Sequence, residues 1–179
     1  MGLLPLPRAF LDLAHESTHL GRVIIKVLEG IWGLNFLYMC AGGMGPSYAN
    51  SRVFDVFCKG GTGEHIVMGH YVSHGARGTS TQAVLSSEED WERERGRERE
   101  REKEIYKQMP RKAGEVRGDT SYEEASQLRI LTRDDPGWEC GGCFLGMVEG
   151  GGMNVLRKAL NYWDSTNVKV VNCGLIFSM

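Results

Sequence analysis

Residues 8–28, RAFLDLAHESTHLGRVIIKVL, set two apolar runs on either side of a polar turn, and that pattern commits the chain to a β-rich fold. Phe10, Leu11 and Leu13 lead in, HESTH supplies the turn, and Val23, Ile24, Ile25, Val27 and Leu28 run out, as the two strands of a hairpin would. Short β-type segments recur at 53–58 and 64–72, in ASQLRILT, in CFLGMVEG and in the closing VKVVNCGLIF. Two stretches read as helix instead. GIWGLNFLYMC (30–40) places Ile31, Leu34, Leu37 and Met39 near helical spacing, and MNVLRKALNYW is amphipathic with Val155, Leu156, Leu160 and Trp163 inward. AGGMGPSYANS follows the first helix as a glycine-rich loop. Many short strands, two helices and glycine punctuation specify a β-rich barrel or sandwich.

With 179 residues, 41% of them apolar, and a formal charge of −2, the chain fits a single domain spanning 1–179 with one sizeable core. The charge is concentrated in an insertion at 88–107, EEDWERERGREREREKEIYK. Its alternation makes i,i+4 neighbours repulsive and i,i+3 neighbours attractive, and Gly96 costs about another 1 kcal/mol of helix stability. The expectation is a solvated RE-rich loop, with partial helix as the alternative, whose replacement over 88–104 by a Gly-Ser linker leaves the melting temperature nearly unchanged. An RNA-binding or protein-binding tract is the functional alternative, but near-neutral local charge argues against strong phosphate binding.

Five scattered cysteines (Cys40, Cys58, Cys140, Cys143 and Cys173) make a poor disulfide framework and suit a reducing compartment, so cytoplasm or nucleus is expected. Pro5 and Pro7 interrupt the N-terminal apolar run, which lacks a basic leader, and no apolar stretch approaches transmembrane length. No membrane association, metal or cofactor is expected. Cys140-Gly-Gly-Cys143 is a lone CxxC in a β-rich setting, and zinc would need two further ligands, for which His65, His70 and His74 are the conceivable donors. Glycines 60, 61 and 63 imitate a phosphate loop without its GK[ST] ending, and no GxSxG elbow accompanies the Ser, His and acid residues. His15 and His19 read as turn residues.

The ordered set of segments resembles a cyclophilin. FLDL and LGRVIIKVL are similar to that family's opening hairpin, NFLYMCAGG to its first helix and glycine loop, and ASQLRILT to its GSQFFI segment. FLGMVEGGGMNVLRKAL is similar to the strand and helix that usually read VFGKVxEGMxVVxKI, and VKVVNCGLI to the closing strand with its CG pair. The resemblance covers nearly the whole chain apart from the charged insertion and a shortened entry to the first helix. It implies an eight-stranded antiparallel β-barrel capped by two α-helices.

Cyclophilins isomerise the peptide bond before proline, across a barrier of about 18–20 kcal/mol set by amide resonance. In the family an arginine hydrogen-bonds the substrate near the proline, and phenylalanine, methionine, glutamine and histidine hold the ring. FCKGGTGEHIVMGHYV (57–72) aligns without gaps to the family's FHRVIPGFMxQGGDFT, which implies Lys59 at the arginine, Glu64 at the pocket phenylalanine, His65 at the methionine and Val67 at the glutamine. A rival alignment anchored on Phe54 puts Val56 at the arginine. Neither supplies a guanidinium, and lysine lacks its planar fork. Arg129 falls at the second phenylalanine of GSQFF, Gly142 at the pocket histidine, and Trp138 within one position of the family's tryptophan. A charge pair between Glu64 and Arg129 would then replace the apolar cradle. The expected function is a catalytically inactive protein-interaction module of a larger protein, binding a peptide or loop through Lys59, Glu64, His65, Val67, Arg129 and Trp138. The alternatives are a weak isomerase using Lys59, and an RNA-associated factor acting through the insertion.

Overall fold

The computed structural model describes residues 5–43, 46–72, 79–80, 82–84, 87–106, 111–162 and 164–177; His74, Lys107 and Trp163 lie outside them. The opening hairpin forms as its pattern predicts, from β1 (Arg8–His15) and β2 (Thr18–Val27). Ala9, Leu11, Leu13, Val23, Ile25 and Val27 are buried on one face, because successive strand residues point to opposite sides. The pairing slips between Leu13 and Ala14, opposite Gly21. Gly21 has φ 138°, and a Cβ there would lie 2.7 Å from Val155, so glycine both shapes the bulge and lets a helix approach the sheet.

The remaining elements are α1 (Ile31–Ala41), β3 (Asp55–Phe57), β4 (His65–Met68), β5 (Tyr71–Val72), β6 (Thr79–Ser80), α2 (Glu88–Tyr106), β7 (Glu115–Gly118), β8 (Leu128–Leu131), β9 (Cys143–Glu149), α3 (Gly152–Leu160) and β10 (Val168–Ile176), the last preceded by a 3-10 turn at Ser165–Asn167. Eight strands form one antiparallel sheet in the order β10-β1-β2-β9-β7-β8-β4-β3, and β5 pairs with β6 apart from it. The sheet curls until its ends meet. Val53 N–H donates to the Val168 carbonyl (2.9 Å) and Val170 N–H to that of Ser51 (2.8 Å), which joins the approach to β3 with β10. One core fills the interior, with Trp32, Phe36 and Met39 of α1 and Val155, Leu156 and Ala159 of α3 packed against the strands. The expected barrel with its two capping helices is therefore present.

The charged insertion is not a loop. It is the 19-residue helix α2, and it is anchored at one tryptophan. Trp91 is 0% exposed, meets Trp32 edge-on with ring centroids 5.7 Å apart, and donates its indole N–H to the Thr120 carbonyl at 3.2 Å. Ser87 Oγ accepts the Asp90 N–H at 3.2 Å as an N-terminal cap, and Glu88, Glu89 and Asp90 occupy the first turn, where the helix dipole favours acids. Attractive i,i+3 pairs form along the surface: Arg93 with Asp90, Arg95 with Glu92 (3.0 Å) and Arg97 with Glu94 (3.3 Å). Local pairing, a cap and one buried indole thus outweigh the i,i+4 repulsion and the cost of Gly96.

α2 also serves α1. The residue ahead of α1 is Gly30, which has no side chain to cap the helix, and no acid occupies the first turn of α1. Glu98 Oε1 accepts the Ile31 N–H at 2.7 Å and supplies that cap from 67 positions away. Residues 88–106 are therefore a helix tied to the domain by a buried indole and a carboxylate cap, not a solvated loop.

Candidate binding face

The site is built on the outer surface of β3, β4, β8 and β7. Val56, Ile66, Ile130 and Val116 lie side by side in register and turn inward to the core. Period two then fixes the neighbouring row, Asp55–Val67–Arg129–Arg117, on the opposite face. Phe57, His65 and Leu131 form a second outward row beside it.

This register takes both positions matched to the family's arginine off this face. Lys59 is exposed in the turn that follows β3, off the face altogether, and Val56 packs on the core. The β3 side chain facing outward, directly across from Val67, is Asp55. An ungapped alignment misses it because the turn between the paired residues Phe57 and His65 is long, taking in residues 58–64.

The Glu64–Arg129 pair does not form. Arg129 Nη2 donates to Asp119 Oδ2 at 2.8 Å, and Asp119 Oδ1 accepts the Ser121 N–H and hydroxyl, both at 2.9 Å. Glu64 is buried and works on its own turn, where its carboxylate accepts the Gly60 N–H (2.6 Å) and the Thr132 hydroxyl (2.7 Å) and lies 3.5 Å from Arg133. Burial pushes the Glu64 pKa upward, but these hydrogen bonds and the Arg133 charge outweigh it and hold the group below its ordinary value. The same contacts remove the phosphate-loop reading. Gly60 N–H is taken by Glu64, Gly61 N–H by the Cys58 carbonyl and Gly63 N–H by the Asp134 carbonyl.

A strap of chain from Thr132 to Gly142 covers part of the face. Arg117, 4% exposed, donates to the carbonyls of Gly141 (3.3 Å) and Gly142 (2.7 Å) and to Glu115 (3.2 Å). Asp135, fully buried, accepts the backbone N–H groups of Glu139 and Cys140, both at 2.8 Å, with Arg111 4.0 Å away. Gly142 has φ 88°, and a Cβ there would come within 2.4 Å of the Gly118 carbonyl oxygen, so no side chain fits at the position matched to the pocket histidine. His65 is buried, donates Nδ1–H to the Gly63 carbonyl at 2.8 Å, and stacks on Phe57 at 5.3 Å. Val67 is buried as well, whereas Trp138 stays 51% exposed, with the Arg111 guanidinium 4.3 Å over its ring. The six positions named from sequence thus separate: Val67, Arg129 and His65 share the face, Glu64 and Lys59 belong to the turn, and Trp138 rides on the strap. Asp55, Asp119 and Arg117 complete the face and were not singled out from sequence.

Burial pushes the Cys140 thiol up to about 11, despite the opposing pull of Arg117, Arg129 and Arg111, so it stays protonated. His70 stacks on Phe54 at 4.5 Å and lies 3.5 Å from Gln127. Among the described residues, the His/Cys/Asp/Glu group with ligand atoms mutually within 4.8 Å is His15, Glu16 and Asp164, which includes neither Cys140 nor Cys143. His15 there bonds Asp164 at 2.9 Å and stacks on Tyr162, so it ties the first hairpin to the segment before β10.

No family model and no curated protein sequence matches the chain. Among solved structures it is similar to the crystal structure of the Mimivirus cyclophilin, with a TM-score of 0.60 and 15% identity, over 99% of this chain and 93% of that one. With its curled eight-stranded antiparallel sheet, the chain has a divergent cyclophilin-like fold.

Proposed function

We propose that this domain is a catalytically inactive cyclophilin-like module that binds a peptide or loop of a partner protein across the outer face of β3, β4 and β8. The observation that carries the reading is Asp55, which stands on β3 beside Val67 and Arg129. Isomerisation by the cyclophilin route needs a cationic donor to hydrogen-bond the substrate and weaken amide resonance. An ionised carboxylate only accepts hydrogen bonds and cannot take that role. Arg129 occupies the position matched to an apolar ring contact, and it is already engaged by Asp119. A proline ring has no apolar cradle there. Binding places fewer demands on exact groups than transition-state stabilisation does, so a face of this kind suits recognition.

The weak-isomerase alternative would rest on Lys59, which lies off the face. The RNA alternative would rest on α2, whose arginines at 93, 95 and 97 are each paired with an acid. Partner capture by wild type, Arg129→Glu and Trp138→Ala tests the reading, with folding of each variant checked first. Loss of at least one partner from a folded variant is the expected result, and retention of every partner by both variants contradicts it.

A further inference from the structure

The charges on the candidate face do not cancel evenly. Arg129 is neutralised by Asp119 at 2.8 Å, Arg117 lies 3.2 Å from Glu115, Glu64 has Arg133 at 3.5 Å, and buried Asp135 has Arg111 at 4.0 Å. Asp55 is the exception. It is exposed, no cation among the described residues pairs with it, and its carboxylate accepts only the neighbouring Val56 N–H, at 2.8 Å. Phe54 and Phe57 flank it in the chain, 56% and 46% exposed, and Phe57 shares its face. The surface therefore offers an unpaired carboxylate with an exposed Phe57 on the same face and an exposed Phe54, stacked on His70, just before it in the chain.

We infer that the occupant of this face is an extended peptide segment carrying a lysine or arginine flanked by apolar residues, with the cation meeting Asp55 and the apolar neighbours meeting Phe54 and Phe57. This rests on the proposed reading of the domain as a binding module and adds the chemistry of its partner. Complementary charge at an accessible position selects among partners and is screened by salt. Apolar contact with exposed aromatic rings supplies the charge-independent part of the affinity. Proline is not a required feature.

The test uses the full chain against arrayed nonapeptides in which the central residue of a Leu/Phe/Ala context is varied. Wild type is expected to retain Lys-centred and Arg-centred peptides about threefold better than Gln-centred ones, a preference of the size exposed ion pairs give, and to lose it in high salt. Asp55→Lys should turn the preference toward Asp and Glu, and Asp55→Asn, which keeps the side chain's size, should abolish it. Peptide binding by wild type without a basic preference, or an unchanged preference in a folded Asp55→Lys or Asp55→Asn protein, overturns the inference and leaves the binding module standing. Failure of wild type to retain any peptide overturns both.

Discussion

Helix α2 and the outer face of β3, β4, β8 and β7 are both rich in charge, but the charges do different work. On α2, Arg93, Arg95 and Arg97 pair with acids three residues earlier at the surface, where an ion pair contributes little. Among the described residues, the Trp91 indole and the Glu98 carboxylate tie that helix to the rest of the domain. On the sheet face, Asp55 apart, the charged groups are half-buried or buried, and their partners come from other segments: Arg129 with Asp119, Arg117 with the strap carbonyls, Asp135 with the strap amides. Charge number is therefore no guide to structural importance. Burial and the distance of the partner along the chain decide it.

The two regions meet at one loop. Trp32 and Trp91 donate their indole N–H groups to the carbonyls of Asp119 and Thr120, and the Asp119 side chain then reaches Arg129 on the face. The largest effect should come from removing the anchor of α2. Trp91→Ala deletes a fully buried indole and is expected to cost about 3–5 kcal/mol. In a domain of this size that lowers the melting temperature by on the order of 10 °C. Arg97→Ala on the same helix should change stability by less than about 0.5 kcal/mol, which thermal melts of the two variants would resolve.

Next comes the strap. Asp135→Ala leaves two backbone N–H groups without their acceptor, at a cost of roughly 2–3 kcal/mol, and faster amide exchange at Glu139 and Cys140 would report it. Glu98→Ala removes the cap of α1 and should cost about 1 kcal/mol, as loss of a helix cap does, while Glu98→Gln retains an acceptor and loses less. Chemical denaturation measures both.

The smallest expected effect is on the pH profile. Glu64 has its pKa depressed in the fold, so the protein binds fewer protons there than the unfolded chain does. That contribution is complete above the unfolded value of about 4.3 and fades as pH falls through the folded value. Glu64→Gln should flatten the acid side of the stability profile below about pH 4 and leave its slope near pH 7 unchanged. Denaturation midpoints across that range would show whether it does.

Much of the architecture was legible because alternation and helical spacing act locally. Leu11, Leu13, Val23 and Ile25 mark the first hairpin, and Val155, Leu156 and Leu160 mark the inner side of α3, to which the structure adds Ala159. β7 escaped notice because Glu115-Val-Arg-Gly buries an arginine whose partners, Gly141 and Gly142, lie far along the chain. Weighing the charges alone favours a loop over 88–107, with partial helix only as the alternative. Ser87 ahead of three acids is a helix-start signal, and Trp91 among charged residues marks a buried point. Asp55 was missed for a geometric reason. Its role depends on which β3 residues face the core, and only the pairing of Val56 with Ile66 fixes that parity. Asp119 could not be assigned at all, since its link to Arg129 depends on two strands meeting in register.

The proposed function requires a face that binds without isomerising. Exchange spectroscopy on a short Xaa-Pro peptide, with the full chain present at micromolar concentration, reads the interconversion rate of the proline bond directly. With a carboxylate at Asp55 and Arg129 held by Asp119, the rate should equal that of the peptide alone. A hundredfold acceleration at the same concentration would contradict the account and make the domain a working isomerase.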